Sequence, residues 1–384
     1  MPTRVDLFGR MLRRLAALGL MLGTMPAIAH SEPLFSPYAS APGLRRNVRP
    51  IDACPPTPAA IVNLTAQSGY VPGKWNEPVP ELVAAFEAAT RPLHSYLSRL
   101  VSFANVSTQL NGAARTATRD CAIRWMTDWA QQGALLGELS VPVGQYERRS
   151  AVEVLSEVYL QLYAGEREPP LPPEPVARWM HAMAYHLMEE YRENALEKNN
   201  HFYYAGLAAV AAGTVLKDRA LYAWGVHRFE AGLKDVTAAG DLPLELKRGG
   251  VALYYHAFSA RVLVQTAMFM QANGGRPFEI QNGALPRLVH NVLAGLADPG
   301  VFENKTGQKQ KAMTKAAQNT LGWLEIYYSL TKDPQAEPWI RSLRPFISVW
   351  LGGNVSNLFG RELPAGPGAT SPLFEQNAAT RGGQ

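Results

Sequence analysis

The chain has 384 residues, of which 47% are hydrophobic and 18% are charged, and its formal net charge is +5. This composition excludes a wholly disordered protein, because disordered chains contain fewer apolar residues and more charge. The first 29 residues hold four arginines and one aspartate, so the body keeps 33 basic and 31 acidic residues, which excludes the basic footprint of a nucleic-acid-binding protein.

The N-terminus has the pattern of an export signal. Arg4–Arg14 is positively charged, Leu15–Met25 is apolar and uncharged, and Ala27–Ala29 fits the small-residue cleavage site. The apolar run is shorter than the roughly 20 residues of a membrane span. We therefore expect residues 1–29 to be a signal peptide of a periplasmic protein without stable membrane insertion. The adjacent Arg13–Arg14 leaves twin-arginine export open as an alternative route.

Two cysteines, Cys54 and Cys121, remain in the mature chain. An oxidising compartment favours their pairing in a disulfide, although two independent buried thiols remain an alternative. Neither cysteine has histidine partners at metal-ligand spacing, so no metal site is expected.

From about residue 79 onwards the sequence predicts helices almost throughout. Apolar residues recur at spacings of three and four among good helix formers, which is typical of amphipathic helices. The predicted helices are 79–106, 119–137, 148–164, 174–197, 200–216, 218–236, 247–273, 285–298, 312–331 and 335–349. Before them, residues 30–78 are proline-rich and irregular and are expected to wrap the body. After them, residues 361–384 are expected to form a flexible tail.

About ten helices with short connections predict an all-α domain of stacked helical hairpins. Helix propensity alone does not distinguish a bundle from a solenoid or a closed ring of hairpins. The sequence shows no strict repeat of 20–50 residues, which argues against an ordinary repeat array.

The first candidate functional motif is Asn199-Asn200-His201 at the start of the predicted helix 200–216. Asparagine is a favourable N-cap residue, so either asparagine could simply cap this helix. The histidine, beside aromatic residues, could likewise be packed in the core. The motif alone therefore does not decide between structure and function.

The second candidate pairs Arg248 with Tyr255 in the predicted helix 247–273. Residues seven apart on a helix face the same way and lie about 10.5 Å apart along its axis. Such a pair could bind an anion and move a proton. The alternative is an arginine that extends to solvent beside a tyrosine whose ring is in the core.

Basic and aromatic residues form the remaining candidates. Lys305, Lys309 and Lys311 belong to a basic loop that could face either a ligand or solvent. Trp125 and Trp129 share one helical face and could form a sugar-stacking platform or part of the core. The aromatic cluster that begins at Trp323 leaves the same two interpretations open.

Several short motifs occur in a fixed order over most of the chain behind the export signal. They are Cys54-Pro55-Pro56; Cys121-Ala122-Ile123-Arg124-Trp125 with Trp129; Asn199-Asn200-His201 with Tyr203; Leu242-Pro243 with Glu245-Leu246-Lys247-Arg248; Ala252-Leu253 with Tyr255-His256; Lys305 with Gly307 and Gln310; and Trp323-Leu324-Glu325. Taken together they resemble the periplasmic alginate lyases, the mannuronate-lyase group of polysaccharide lyase family five.

The resemblance implies an (α/α) toroid, an incomplete barrel of helical hairpins with a deep substrate groove, over residues 79–360. It also implies cleavage of a mannuronate-rich polyuronate by β-elimination, without a metal or other cofactor. The expected ligand is therefore an acidic polysaccharide. We expect a monomer, and an association with the alginate export machinery stays open.

The implied reaction removes the proton on C5 of a uronate and expels the oxygen on C4, so the enzyme must stabilise negative charge that develops on the carboxylate. Asn200, His201 and Arg248 match the positions that the family uses around this carboxylate. Tyr255 matches the phenol that abstracts the proton and returns one to the leaving oxygen. A phenol needs cationic neighbours to act as a base, and Arg248 is a candidate. His201 could instead be the base for guluronate, whose elimination geometry is anti.

Other matching positions are expected to bind substrate or to form a lid over it. They are Tyr70, in the expected lid loop Ser68–Tyr70, and Trp129, Asn199, Tyr204, Lys247, His256, Lys305, Gln310 and Trp323. The chain departs from the family at Tyr204, where tryptophan is common, and at Leu244, Val251, Ala257 and Phe258. These departures leave the identity of the polymer open.

Two further hypotheses remain. One keeps the mechanism but changes the substrate to another polyuronate, such as glucuronan. The other is a non-catalytic polysaccharide-binding or secretion-associated protein that has kept the toroid. The joint presence of His201, Arg248 and Tyr255 favours an enzyme, because a binding protein has no evident need for the phenol.

Overall fold

A computed structural model describes residues 33–40, 48–71, 74–192, 199–360 and 362–374, apart from the side chains of residues 74–76 and 316. The expected signal peptide, residues 1–29, lies outside the described residues, so it stays a prediction. None of the described helices combines the length and the apolar character that crossing a bilayer requires.

The described part of the chain is almost entirely helical. The helices are α1 Pro80–Ser107, α2 Gly112–Gln131, α3 Val143–Leu162, α4 Glu174–Glu190, α5 Asn200–Leu216, α6 Arg219–Lys234, α7 Pro243–Leu246, α8 Ala252–Ala272, α9 Ile280–Ala297, α10 Gly300–Thr306, α11 Lys315–Asn319, α12 Trp323–Thr331, α13 Glu337–Leu343 and α14 Val355–Leu358. Two short antiparallel hairpins, β1 Tyr70–Val71 with β2 Lys74–Pro78 and β3 Ile347–Ser348 with β4 Gly353–Asn354, complete it.

The long helices form two layers. In the inner layer α1 packs on α3, α3 on α5, α5 on α8, and α8 on α12. In the outer layer α2 packs on α1, α4 on α3 and α5, α6 on α5, and α9 on α8. Residues 349–354, which follow α13, contact α1 and α3 and so return the chain to the start of the inner layer. The result is a curved double layer of helices, as expected for a toroid.

The distribution of apolar residues explains which helices are inside. Every residue of α3 except Gln145 and Tyr146 is buried, and α5 is buried along almost its whole length. A helix that is apolar all round, as α5 is, must be covered on every side, whereas α3 is buried together with charged side chains such as Arg149 and Glu153. By contrast, α4 buries a single stripe that includes Val176, Met180 and Met183, which is typical of an outer helix.

Several predicted helices are interrupted in the structure. The predicted helix 247–273 is a 3₁₀ turn, Gly249–Val251, followed by α8, because Gly249 has φ +58° and ends the helical path. The predicted helix 312–331 is divided into α11, a 3₁₀ turn at Thr320–Gly322, and α12. The predicted helix 335–349 ends as α13 at Leu343, and β3 follows.

The segment before α1 runs along the outside of the helical layers. Leu64 exchanges backbone hydrogen bonds with Glu138 and Ser140, and the backbone N–H of Leu135 donates to the carbonyl of Ile61. Cys54 and Cys121 form a disulfide, which confirms the predicted pairing and ties this segment to α2.

Loss of this disulfide should destabilise the protein substantially. The bond closes a 67-residue separation, and the chain-entropy model assigns about 4 kcal/mol to a loop of this length. We expect a Cys54→Ser/Cys121→Ser variant to lose about that much free energy of unfolding, measured by urea denaturation. If the double variant unfolded at the same urea concentration as the oxidised wild type, this expectation would be wrong.

The described part of the C-terminal segment differs from the expected flexible tail. The carbonyl of Leu373 accepts a hydrogen bond from the backbone N–H of Met313, and the Phe374 ring packs edge-on against Trp339. Leu373 is buried by these contacts. Residues 375–384 lie outside the described residues, and for them the tail stays a prediction.

Candidate active site

The inner helices enclose a cavity of about 830 Å³. The cations along its wall are Arg149, Arg261 and Lys311, of which Arg261 is ion-paired with the buried Glu153 at 3.1 Å. The acidic side chain of the wall, Glu147, is bound to His94 at 2.7 Å. Arg149 and Lys311 therefore supply positive charge that a polyanion can meet. In the described ranges, no three His, Cys, Asp or Glu side chains lie together in a way that could hold a metal ion.

The start of α5 places the first predicted motif beside this cavity. Asn199 is the N-cap residue: its Oδ1 accepts a hydrogen bond of 3.0 Å from the backbone N–H of His201. This confirms the capping alternative for Asn199, whose Oδ1 is engaged in structure; its contact with substrate stays a prediction. Asn200 is buried, and both its backbone N–H and its Nδ2 donate to Oε1 of Glu245, at 2.8 and 3.0 Å.

The Arg248–Tyr255 pair forms by a different route from the one predicted. The two residues do not share a continuous helix, because the 3₁₀ turn at Gly249 separates them. Instead the Arg248 guanidinium folds back over the Tyr255 ring, 4.4 Å from its centroid. Nε of Arg248 also lies 3.3 Å from Oε2 of Glu245. Since Glu245 binds Asn200 as well, one buried carboxylate joins the two motifs.

His201 is held between two cationic neighbours and an aromatic ring. Its ring stacks on Tyr146, with 4.1 Å between centroids and 12° between planes, and its Nδ1 lies 3.0 Å from Nη1 of Arg149. Burial, followed by Arg149 and Arg248, lowers the pKa of His201 well below its ordinary value. The imidazole is therefore neutral at neutral pH. Arg248 contacts Tyr255 and Glu245, and Glu245 binds Asn200, the neighbour of His201, so these contacts link the three predicted residues.

The Tyr255 phenol is protonated in the free site. Burial raises its pKa to about 12, and the nearby Tyr70, Tyr254 and Glu245 also raise it, whereas Arg248 lowers it. Arg248 thus lowers the pKa of Tyr255, as predicted, but the loss of hydration on burial raises this pKa by more. Tyr255 is only partly buried, so the phenol is not sealed from solvent.

The trio lies beside the cavity and is connected to it through neighbours. Tyr146 and Arg149, which contact His201, line the cavity, and so does Tyr254, whose ring packs edge-on against Tyr255. Tyr70, on β1, has 38% of its surface exposed and raises the pKa of Tyr254 and Tyr255. The contact of the expected lid loop with substrate stays a prediction.

Three residues predicted to bind substrate are part of the core instead. Trp129 is 1% exposed, stacks on Tyr96 with 3.5 Å between ring centroids, and donates from Nε1 to a backbone carbonyl. Trp323 is fully buried. His256 is also fully buried, and its two ring nitrogens bond to the backbone of Leu242 and Ala252. For these positions the core interpretation is correct, and the substrate-binding prediction is wrong.

Replacing Trp129 should therefore reduce stability without changing the chemistry. Deletion of a buried tryptophan side chain costs about 3–5 kcal/mol through lost burial and a residual cavity. We expect Trp129→Ala to lose that much free energy of unfolding, while KM for polysaccharide, measured on the folded fraction at low temperature, stays at the wild-type value. A selective rise in KM with unchanged stability would restore the sugar-platform interpretation.

Two other residues that were predicted to bind substrate, Lys305 and Lys247, do not line the cavity. Nζ of Lys305 is bound to Asp241 at 2.7 Å, and Lys305 is not part of the cavity wall, so it stabilises the loop before α7. Lys247 is exposed and likewise does not line the cavity. Since His201, Arg248 and Tyr255 do not line the cavity either, the contact of Lys247 and Lys305 with substrate stays a prediction.

Tyr204 and Gln310 do line the cavity, but each has a structural partner. The Tyr204 hydroxyl donates to the buried carboxylate of Glu153. Oε1 of Gln310 accepts from the backbone N–H of Leu253 at the start of α8, and its Nε2 donates to the carbonyl of Gly249. Both side chains therefore support the wall that the substrate meets.

Tyr146, Arg149 and Arg261 line the site and were missed by the sequence analysis. A signal for the first two was present: Tyr146, Arg149 and Glu153 recur at spacings of three and four along α3, so they share one face. Arg261 lies in the apolar run of α8 and is 2% exposed. A buried arginine in such a run indicates a partner from another helix, which the sequence does not identify.

Comparison with known proteins gives a consistent result. A family model described as alginate lyase matches residues 104–302. An alginate lyase of Pseudomonas aeruginosa is 32% identical over 261 residues, covering 66% of this chain and 71% of that protein. An alginate lyase of Azotobacter vinelandii is 30% identical over 361 residues, covering 89% and 94%.

Solved structures resemble the fold. The crystal structure of an alginate lyase from a Sphingomonas species matches with a TM-score of 0.69 and 17% identity, covering 84% of this chain and 90% of that one. A variant of the same lyase, complexed with a tetrasaccharide, matches with a TM-score of 0.67 and 17% identity, covering 80% and 86%. These matches confirm the predicted all-α toroid.

Proposed function

The chain belongs to the alginate lyase family, and on this premise we propose that it cleaves mannuronate-rich alginate by β-elimination at the site formed by His201, Arg248 and Tyr255. The observation that carries the proposal is the position of Arg248, whose guanidinium covers the Tyr255 ring and whose Nε lies 3.3 Å from Glu245, the carboxylate that binds Asn200 next to His201. A donor, a cation and a phenol are thereby linked beside the cavity.

The first chemical requirement is neutralisation of the uronate carboxylate. Abstraction of the C5 proton places negative charge on the carboxylate oxygens, and preorganised donors stabilise that charge in a site with little water. Arg248 supplies a permanent cation, and neutral His201 supplies an N–H donor. Asn200 acts through Glu245, which it binds at 2.8 and 3.0 Å and which in turn orients Arg248.

The second requirement is proton transfer. Tyr255 first releases its phenolic proton to water, and the phenolate, which Arg248 stabilises, then accepts the C5 proton. As the C4–O bond breaks and the C4–C5 double bond forms, the phenol donates its proton to the leaving oxygen. When the cycle ends, the regenerated phenolate takes a proton back from water. The net change moves one proton from C5 to the glycosidic oxygen, and one residue can perform both steps because the two atoms lie on the same side of mannuronate.

The surroundings of the site support an acidic polysaccharide as substrate. Arg149 and Lys311 line the adjacent cavity, so a chain of uronates would pass beside two positive charges. We also propose a periplasmic location, supported by the leader-like pattern of residues 1–29 and by the disulfide between Cys54 and Cys121. Fractionation of cells that express the chain with its leader would test the location.

The activity itself is tested by incubating the purified protein with mannuronate-rich alginate, guluronate-rich alginate and glucuronan. Elimination produces an unsaturated uronate that absorbs ultraviolet light, whereas hydrolysis does not. We expect the fastest increase in absorbance with the mannuronate-rich polymer. A faster reaction on glucuronan would reassign the substrate, and no absorbance change on any of the three polymers would leave the non-catalytic binding protein as the better interpretation.

A further inference from the structure

Arg149 makes contacts that the elimination chemistry alone does not require. It is 3% exposed, and its Nη1 lies 3.0 Å from Nδ1 of His201 and 3.2 Å from the hydroxyl of Tyr191. Its guanidinium also lies 4.1 Å from the ring centroid of Tyr204 and 5.0 Å from that of Tyr146. A buried cation with so many aromatic contacts has a fixed position.

The hydrogen bond between Arg149 and His201 has only one possible direction. A guanidinium group has five N–H donors and no acceptor, so Nδ1 of His201 must accept. A neutral imidazole carries one proton, which must then be on Nε2. The ring cannot easily turn over, because it stacks flat on Tyr146. Nε2–H therefore points away from Arg149.

We propose that Arg149 is a positioning residue that holds His201 in the Nε2–H tautomer, so that this imidazole donates to the substrate carboxylate and cannot act as a general base. The inference rests on the proposed function and deepens it. With the lone pair of His201 occupied by Arg149, Tyr255 is the base that remains at the site. The enzyme is thereby restricted to syn elimination, and guluronate residues, which need a base on the opposite face, are excluded.

The proposal decides between the two roles that the sequence left open for His201. As a base toward guluronate, the imidazole would need a free lone pair directed at the sugar. The direction of the Arg149 hydrogen bond gives it an N–H there instead. Specificity for mannuronate would then depend on a residue of α3 that does not need to touch the sugar ring at all.

The tautomer can be measured directly and separately from activity. Long-range proton–nitrogen correlation spectra of the histidines distinguish the two tautomers, and wild-type His201 should show the Nε2–H form at neutral pH. Arg149→Met removes the donor while keeping an extended apolar side chain, and should give a mixture of tautomers. Arg149→Lys keeps a cationic donor and should keep the wild-type tautomer.

The same variants should change the choice of polymer. Only molecules with the Nε2–H tautomer present a donor to the substrate carboxylate, so the rate on mannuronate-rich alginate should fall in proportion to the fraction of that tautomer, about twofold for an even mixture. The rate on guluronate-rich alginate, relative to that on mannuronate-rich alginate, should rise by about the same factor. Arg149→Lys should restore most of both values.

A matched control separates this effect from loss of a buried arginine in general. Arg228 is also buried, with its guanidinium 3.5 Å from the Trp224 ring, and Arg228→Met should keep the wild-type tautomer and polymer ratio even if thermal unfolding shows similar destabilisation. An Nδ1–H tautomer in the wild type, or an unchanged tautomer or polymer ratio in Arg149→Met, would overturn the proposal. Inactive wild-type protein would instead refute the proposed function, and the spectra would still decide the tautomer.

Discussion

Replacing Tyr255 with phenylalanine should lower kcat on mannuronate-rich alginate by about 10⁴-fold, the upper end of the effect of a general acid–base group, because the same phenol serves both steps. The variant keeps the ring over which Arg248 folds at 4.4 Å, so the site should keep its shape. Binding of a mannuronate oligosaccharide, measured by calorimetry, should therefore stay close to that of the wild type. Initial rates of absorbance increase give kcat.

Tyr159→Phe is a suitable control for this experiment. Tyr159 lies on α3, and its hydroxyl donates to the carbonyl of Pro170 away from the trio. Tyr159→Phe also removes one phenolic hydroxyl, but at a position away from the site, and should leave kcat unchanged. If Tyr255→Phe kept a rate within tenfold of the wild type, another group would have to be the base, and the assignment of Tyr255 would be wrong.

The sequence predicted a helix correctly where its capping residue and its apolar surface match the position of the helix in the folded protein. The predicted helix 200–216 is α5 with the same bounds, because Asn199 caps it and its apolar surface is continuous. The predicted helix 247–273 began at the wrong residue, since a glycine at φ +58° looks like any other glycine in the sequence. Its unusual conformation depends on a close contact with Gln308, where an added Cβ would lie 2.3 Å from Oε1.

The site was predictable only in part, for a physical reason. The motifs identified His201, Arg248 and Tyr255, which the structure brings together. The motifs also included Trp129 and His256, which pack in the core. The fold requires these two residues, so they occur in the motifs together with the residues of the site. A motif indicates that a residue type is required at a position. Whether the side chain at that position is exposed to solvent or packed against other side chains depends on contacts between distant helices.

The role of Arg261 could not be predicted from the sequence either, because it depends on hydrogen bonds to residues of other helices. Its Nη1 lies 3.1 Å from Oε1 of Glu153 and 3.1 Å from Oε1 of Gln265, and all three residues are buried. Glu157 lies next to them, and Gln265 donates to it at 2.9 Å. Two carboxylates thus share one arginine beneath the cavity. Burial raises the pKa of both glutamates, most strongly that of Glu157, which also feels the charge of Glu153.

Arg261→Met should therefore destabilise the protein by about 3–5 kcal/mol at neutral pH, as expected when one partner of a buried ion pair is removed. Without Arg261 the pKa of Glu153 in the folded state rises further above its unfolded value of about 4.3. The folded state then binds more protons than the unfolded state, so stability falls as pH increases from about 4.3 through the folded pKa. The difference from wild type should be small in mild acid and largest at neutral pH, measured by urea denaturation across this range.

A second substitution tests the electrostatic origin of this loss. Glu153→Gln in the Arg261→Met background removes the unpaired charge, while its amide oxygen can still accept the Tyr204 hydroxyl that Glu153 now binds. The double variant should recover part of the lost stability at neutral pH and lose the part of the pH dependence that comes from Glu153, because that charge is absent while Glu157 remains. If its stability instead equalled that of Arg261→Met at every pH, packing rather than charge would be the contribution of Arg261, and the buried carboxylates would not be the reason for an arginine in the centre of α8.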